Sequence, residues 1–203
     1  MNKKIIMSVL FGTLLTASTA MAAPLDDFSK GKTAVDLGFN WSSKIENDTN
    51  KWDGKSAMYA GVTTGLGNNI ALRYKYDNWQ GRENGAKGNV QVHQLAAMYQ
   101  VAPGISPYLG WAMYKEGVKV GGLDLGNETT NTAHIGIVAQ HKFAHDKAKV
   151  WGDVAFGTKK TQNYEIGVGY EVAKNWDLNL AWQYNKADDS TYKGFKTGVT
   201  YKF

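Results

Sequence analysis

The sequence predicts an all-β chain folded as an antiparallel up-and-down barrel that crosses a membrane. Three observations predict it. Stretch after stretch alternates apolar with polar residues, the stretches are long, and their apolar faces carry aromatics near the ends with aliphatics between. Successive side chains of a strand point to opposite faces, so a period of two gives each stretch one apolar and one polar face.

The alternation places ten strands, at about 32–43, 54–66, 69–79, 90–101, 106–116, 129–143, 147–158, 162–173, 176–186 and 192–203. In the first, Thr33, Val35, Leu37, Phe39 and Trp41 alternate with Ala34, Asp36, Gly38, Asn40 and Ser42. In the third, Ile70, Leu72, Tyr74 and Tyr76 alternate with Ala71, Arg73, Lys75 and Asp77. The eighth sets Tyr164, Ile166, Val168, Tyr170 and Val172 against Asn163, Glu165, Gly167, Gly169 and Glu171. The ninth sets Trp176, Leu178, Leu180, Trp182 and Tyr184 against Asp177, Asn179, Ala181, Gln183 and Asn185. A tilted membrane-spanning strand needs about 9 to 11 residues, whereas strands of soluble sandwiches run nearer five or six. If two of the ten stretches form a hairpin outside the membrane, the barrel has eight strands instead.

Four connections are tight: Gly65-Leu66-Gly67-Asn68, Ala102-Pro103-Gly104-Ile105, Ala144-His145-Asp146-Lys147 and Ala173-Lys174-Asn175. The others, centred on 44–53, 80–89, 117–128, 158–161 and 187–191, are polar and read as loops. Short turns at one end and longer loops at the other suit a barrel with both termini on the turn side, which needs an even strand count. Near the turn ends the apolar face carries Tyr99, Phe143, Tyr170, Trp176, Tyr201 and Phe203. Near the loop ends it carries Trp41, Tyr76, Tyr164, Tyr184 and Tyr192. Two aromatic girdles around an aliphatic band are what a lipid-facing wall requires. Trp52 and Trp79, at the loop bases, read as interfacial anchors.

The first 22 residues read as a signal peptide. Lys3 and Lys4 form a basic start, Ile5 to Leu15 an apolar stretch, and Ala20-Met21-Ala22 a small-residue cleavage site. The apolar run is shorter than the roughly 20 residues a spanning helix needs. The barrel is then 23–203. Its 23 glycines and 3 prolines, with 12% aromatics, suit closely packed, curving strands. Mean hydropathy is −0.40. The absence of cysteine leaves closure of the fold to the hydrogen-bond ladder. Net charge is +5, or +3 once the two leader lysines are removed, and no concentrated basic stripe points to nucleic acid.

The chain ends Lys196-Thr197-Gly198-Val199-Thr200-Tyr201-Lys202-Phe203. This resembles the C-terminal assembly signal of bacterial outer-membrane β-barrels: polar, any, Gly, any, any, aromatic, any, aromatic, at the terminus. Gly198, Tyr201 and Phe203 hold its defining positions. The whole mature chain resembles the small outer-membrane barrel proteins, loosely the porin-family and OmpA/OmpX-like barrels. The resemblance implies integral insertion in a bacterial outer membrane, with barrel-assembly machinery, outer-membrane lipid and lipopolysaccharide as partners.

The polar faces line the interior of such a barrel, with Asp36, Arg73, Lys75, Asp77, Lys142, Lys149, Asp153, Glu165, Glu171, Asp177 and Lys196. Buried charges are costly unless paired, and near-balance of sign favours a salt-bridged, mostly filled lumen. A narrow path for ions or very small solutes is the alternative. His141 and His145 sit four apart, as on zinc-binding helices, but along a strand that spacing separates them by about 13 Å. His134 falls on the polar face and His93 near an outer strand end. No metal, cofactor or catalytic residue is expected. Asp77, Asp188, Asp189 and His93 near the outer rim lack the spacing of the proteolytic ten-stranded barrels. The expected function is a small porin-like or structural role, with adhesion through the loops at 44–53, 80–89 and 117–128 as the alternative and an enzyme a distant third.

Overall fold

The computed structural model describes residues 24–46, 51–83, 86–120, 123–187 and 190–203. The expected signal peptide, residues 1–22, lies outside them, as do Asp188 and Asp189. Within the described residues, eleven strands form one antiparallel sheet: β1 (Thr33–Glu46), β2 (Lys51–Lys55), β3 (Ala57–Gly67), β4 (Ile70–Glu83), β5 (Ala86–Tyr99), β6 (Ile105–Val120), β7 (Leu123–Phe143), β8 (Ala148–Gly157), β9 (Gln162–Ala173), β10 (Trp176–Ala187) and β11 (Ser190–Lys202). β2 and β3 both pair β1 and β4, and only Ser56 separates them, so they make one position in the wall. β11 pairs β1 from Lys202 opposite Ala34 to Thr191 opposite Glu46, which closes the sheet. The result is a ten-position closed barrel, and the eight-strand alternative falls away. Closure removes every free sheet edge, the condition for a β-protein in lipid.

The turn end follows from local chemistry. Asn68 and Asn69 both have positive φ (53° and 63°), the two-residue geometry that matches strand twist. Asn175 repeats the left-handed conformation (φ 69°) between β9 and β10.

The opposite end corrects the loop expectation. Much of 44–53, 80–89 and 117–128 is strand. Gln80 pairs Asn89, Arg82 pairs Lys87, and β6 and β7 stay paired to Val120 and Leu123. Glycine, lysine and asparagine have weak strand preference, but a ladder continued from the wall below, through a register shift between Gly117 and Lys119, overrides it. At 16 and 21 residues, β6 and β7 far exceed a membrane span, while β8 has 10. The rim is therefore slanted, with tall paired arms on one side and the short Thr158–Thr161 turn on the other.

Burial follows the parity. Leu72, Leu95, Leu109, Ile135, Ile166, Val168 and Leu178 are exposed, while the polar residues beside them are buried. The core thus lies inside the lumen and the outer surface is apolar, the inverse of a soluble barrel.

Candidate functional site

The lumen is built in layers. Its middle layer holds an ion-pair chain of alternating sign. Arg73 meets Asp153 at 3.0 Å, Lys75 meets Asp153 at 3.8 Å and Glu165 at 3.1 Å, and Lys196 meets Glu165 at 3.4 Å and Asp77 at 2.9 Å. All six are at most 5% exposed. β4 supplies Arg73, Lys75 and Asp77; β8, β9 and β11 supply the partners. In a ten-position wall β4 and β9 stand opposite each other, so the chain crosses the full diameter. Further bonds hold it. Tyr108 donates to Asp153 at 2.6 Å, the Trp151 indole donates to Glu165 at 3.2 Å, and Lys196 rests over the Tyr59 ring at 4.4 Å. A charge network in low dielectric is stable only when every member is satisfied, and here three cations meet three anions.

Room for the bulky members comes from glycine. Tyr59 lies opposite Gly38, Tyr108 opposite Gly136 and Trp151 opposite Gly167. A Cβ on any of the three would stand 2.2–2.4 Å from the facing aromatic. Inward glycines that sequence reading places on the polar face are therefore the seats of lumen aromatics.

Towards the turn end, Asp36 accepts from Thr200 at 2.9 Å, and Thr200 accepts from Asn179 at 2.9 Å. Lys149 meets Asp177 at 3.1 Å, and Lys202 bridges Asp177 at 2.8 Å and Glu171 at 3.5 Å. Glu171 is half-buried at the mouth, unlike the other lumen acids. Lys142, expected in the lumen, is 37% exposed at the turn-end mouth, where it pairs Asp26 at 3.0 Å.

Below this layer sits a plug that sequence reading missed. Residues 24–32 fold back across the mouth. Leu25 and Phe28 are buried (6% and 3% exposed) against Ala34, Ala71, Ala96, Met98, Tyr108, Val138 and Ala155. Gln140 donates to the Leu25 carbonyl at 3.1 Å, Gln100 to that of Asp26 at 3.3 Å, and Lys149 to that of Pro24 at 3.4 Å. Gly67 N–H donates to the Phe28 carbonyl at 3.0 Å. The available signal was two apolar residues in an otherwise polar stretch before the first strand. Phe28→Ala is expected to weaken docking by about 3 kcal/mol. Tryptic cleavage at Lys30 and Lys32 should then accelerate about a hundredfold while the barrel stays folded. Unchanged cleavage would show that the segment is held by its polar bonds alone.

Towards the arm end a second apolar layer caps the lumen: Ile45, Trp79, Val90, Val92, Tyr114, Ala187 and Tyr192. Trp79 and Tyr192 are fully buried here, which corrects their assignment to the outer surface. Parity explains it, since Trp79 follows Lys75 and Asp77, and Tyr192 precedes Lys196, at steps of two. Nothing is described of the Trp52 side chain. Tyr192 and Ser190 donate to Glu116 at the lid's edge, beyond the girdle. Burial raises that carboxyl above its usual range, and the two hydroxyls partly offset the rise. Buried amides flank the ion chain: Asn40, Gln94 and Gln183 stand opposite Lys196, Lys75 and Glu165, and Asn163 and Asn185 lie one step nearer the lid. The gap beside Gln94, His134 and Asn163 is about 10 Å³, the size of one water-sized sphere.

On the outer wall, Trp41 stacks on Phe195 at 5.6 Å, Tyr76 lies against His93 at 5.0 Å, and Tyr164 against Tyr184 at 5.8 Å. At the turn end Trp176 meets Tyr201 at 4.8 Å and Tyr201 meets Phe203 at 4.6 Å. Tyr99, Phe143 and Tyr170 are about half exposed at the same end. Gly198 sits in the closing seam opposite Gly38, and Phe203 N–H donates to the Thr33 carbonyl at 2.8 Å. His141 and His145 are exposed, on β7 and in the turn after it.

No curated protein matches the sequence. Among solved structures, the chain is similar to the translocator domain of the autotransporter NalP from Neisseria meningitidis. Identity is 12%, TM-score 0.53, and coverage 97% of this chain and 96% of that one. It is also similar to Neisserial surface protein A (16% identity, TM-score 0.46, covering 85% and 96%). A third is Ail, the attachment invasion locus protein of Yersinia pestis (13% identity, TM-score 0.45, covering 86% and 99%). At these identities the likeness concerns fold alone. The outer membrane protein beta-barrel domain matches residues 12–203, every described strand included. A closed barrel, an apolar outer band and that match lead to one conclusion: the chain belongs to the outer membrane β-barrel domain family.

Proposed function

We propose that this outer-membrane barrel is closed to solutes and acts at the cell surface, through the paired arms that its wall carries outward. The observation that supports this reading is the ion-pair chain spanning the lumen from β4 to β9, with an apolar layer on either side of it. The plug, the ion-pair chain and the apolar lid stand as three barriers in series along the lumen. An ion crossing the lumen would have to break pairs that are buried and mutually satisfied, each break exposing an uncompensated charge in low dielectric. The tall arms of β4–β5 and β6–β7 offer an ordered, polar surface beyond the membrane, and paired strands present fixed side-chain positions where loops would not. No catalytic group is part of this reading. A porin-like role would require the plug, the chain and the lid to move together.

The test is solute flux. Proteoliposomes containing the refolded mature barrel should swell in potassium chloride or small sugars no faster than protein-free vesicles. Swelling that scales with the amount of folded barrel would return the protein to the porin-like reading.

A further inference from the structure

Across the outer mouth, Glu116 joins opposite walls. Tyr192 donates to its Oε1, and Ser190 donates to its Oε2 at 3.4 Å. β6, which carries Glu116, is the fifth of the ten wall positions, and β11, which carries the two hydroxyls, is the tenth. The two bonds therefore span the diameter, at the edge of the apolar lid.

The wall at this height is not a closed ring. β7 pairs β8 only as far as His134 opposite Gly157, and the Ala133 carbonyl accepts from Thr158 N–H. Glu128, opposite Glu116 in the β6–β7 ladder, lies five residues beyond Ala133. Above the β8–β9 turn the strands form a curled sheet with a notch between β7 and β9. A closed ladder fixes its own diameter, whereas a curled sheet is held by its twist and by whatever ties its sides together. Glu116 is such a tie.

Its neighbours decide what the tie responds to. Glu128 faces it from β7 and Tyr192 from β11, and Tyr114 stands two residues below it on β6. β4, β5 and β10 present the lid residues Trp79, Val90 and Ala187. Among the described residues, no lysine or arginine pairs with it. Ionised, this carboxylate is part-buried, without a cation and beside a second carboxylate. The two hydroxyls offset only part of that cost, and burial holds the carboxyl above its usual range. The neutral acid fits better, since its carbonyl accepts from one hydroxyl and its own O–H donates to the other. Both phenols stay protonated to about pH 8.

We infer that Glu116 is an acid-closed clasp: protonated, it holds the β6–β7 arm to the β10–β11 hairpin over the lid, and its ionisation releases the arm. A carboxyl raised in the clasped state contributes stability that is complete below the ordinary carboxylate range and is lost as pH rises through the raised value. The arm is then shut in acid and looser in mild alkali. The inference goes beyond the surface reading, and conductance does not test it, because the ion chain and the plug close the lumen in either state.

The experiment places nitroxide labels at Lys115→Cys and Lys186→Cys, which flank the clasp on β6 and β10 in a chain with no cysteine of its own. Pulsed electron resonance on the folded barrel in uncharged micelles reads the distance between them at about pH 4 and about pH 8. One narrow distribution is expected in acid, with a longer-distance population growing severalfold in alkali. Glu116→Gln keeps an acceptor and a donor without the charge, and should stay shut at both values. A hydrogen bond is worth about fivefold, so Glu116→Ala should enlarge the long population about thirtyfold in acid. A wild-type distribution that ignores pH, a pH response that survives in Glu116→Gln, or a Glu116→Ala barrel that stays shut would each overturn the proposal. A surviving response would assign the titration to another group, such as Glu128 or His93. Should Glu116→Ala lack the compact gel mobility of a folded barrel, Ser190→Ala with Tyr192→Phe removes the same two bonds and should give the same long population in acid.

Discussion

Glu165→Ala is expected to destabilise the barrel by about 3–5 kcal/mol, among the largest effects of any single substitution. Glu165 is buried at the crossing point of the lumen chain, where it accepts from Lys75, Lys196 and Trp151. Its loss leaves two ammonium groups short of an anion in a site without bulk water. Lys196 retains Asp77 and Lys75 retains only the 3.8 Å contact to Asp153, already held by Arg73. The double variant Glu165→Leu with Lys75→Met removes one charge of each sign and leaves Arg73–Asp153 and Lys196–Asp77 as complete pairs. It should recover at least half of the loss. Denaturant unfolding in lipid vesicles, followed by tryptophan fluorescence, measures both. If the double variant is as unstable as the single one, the network contributes through packing and not through charge balance.

Gly198→Val is expected to cost at least about 3 kcal/mol, or to prevent closure altogether. A Cβ at this position would stand 2.3 Å from the Leu37 carbonyl oxygen, 2.5 Å from the Tyr59 hydroxyl and 2.9 Å from the Gly38 Cα. Two of those neighbours are backbone of β1, so the side chain forces apart the seam on which the barrel closes. The milder Gly198→Ala should be partly rescued by Tyr59→Phe, which removes the hydroxyl and leaves the carbonyl contact. The fraction of protein with compact mobility in unheated gels reports closure. Full tolerance of valine would mean that the glycine serves recognition during assembly and not packing in the finished wall.

Much of this was legible in the sequence. A period of two cannot place a side chain on both faces, so once Leu72 and Tyr74 face lipid, Arg73 and Lys75 must face inward. The same rule, carried four residues further, would have put Trp79 inside. It was overridden by the general habit of tryptophan at membrane interfaces, as it was for Tyr192. Strand ends were less legible, because Gln80 to Asn89 has turn-like composition and is held as strand by pairing with its neighbours, a long-range effect. The plug was illegible for a related reason: residues 24–32 carry no periodicity, and their burial depends on a mouth assembled from β1 and β3 to β8. Which cations meet which anions also needed the fold. Charge balance foretells pairing, but only strand register and barrel closure bring Lys196 to Asp77 across 119 residues of chain.

The closed lumen is the claim on which the surface reading depends, and single-channel recording tests it most directly. Protein spanning residues 23–203, refolded and confirmed compact, is inserted in a planar bilayer in molar potassium chloride. The expected record is flat at every moderate voltage, with Glu165→Ala showing rare openings as its unpaired ammonium groups draw in water and anions. Discrete, reproducible steps from the wild-type barrel would contradict the closed lumen and make the ion-pair chain the lining of a pore.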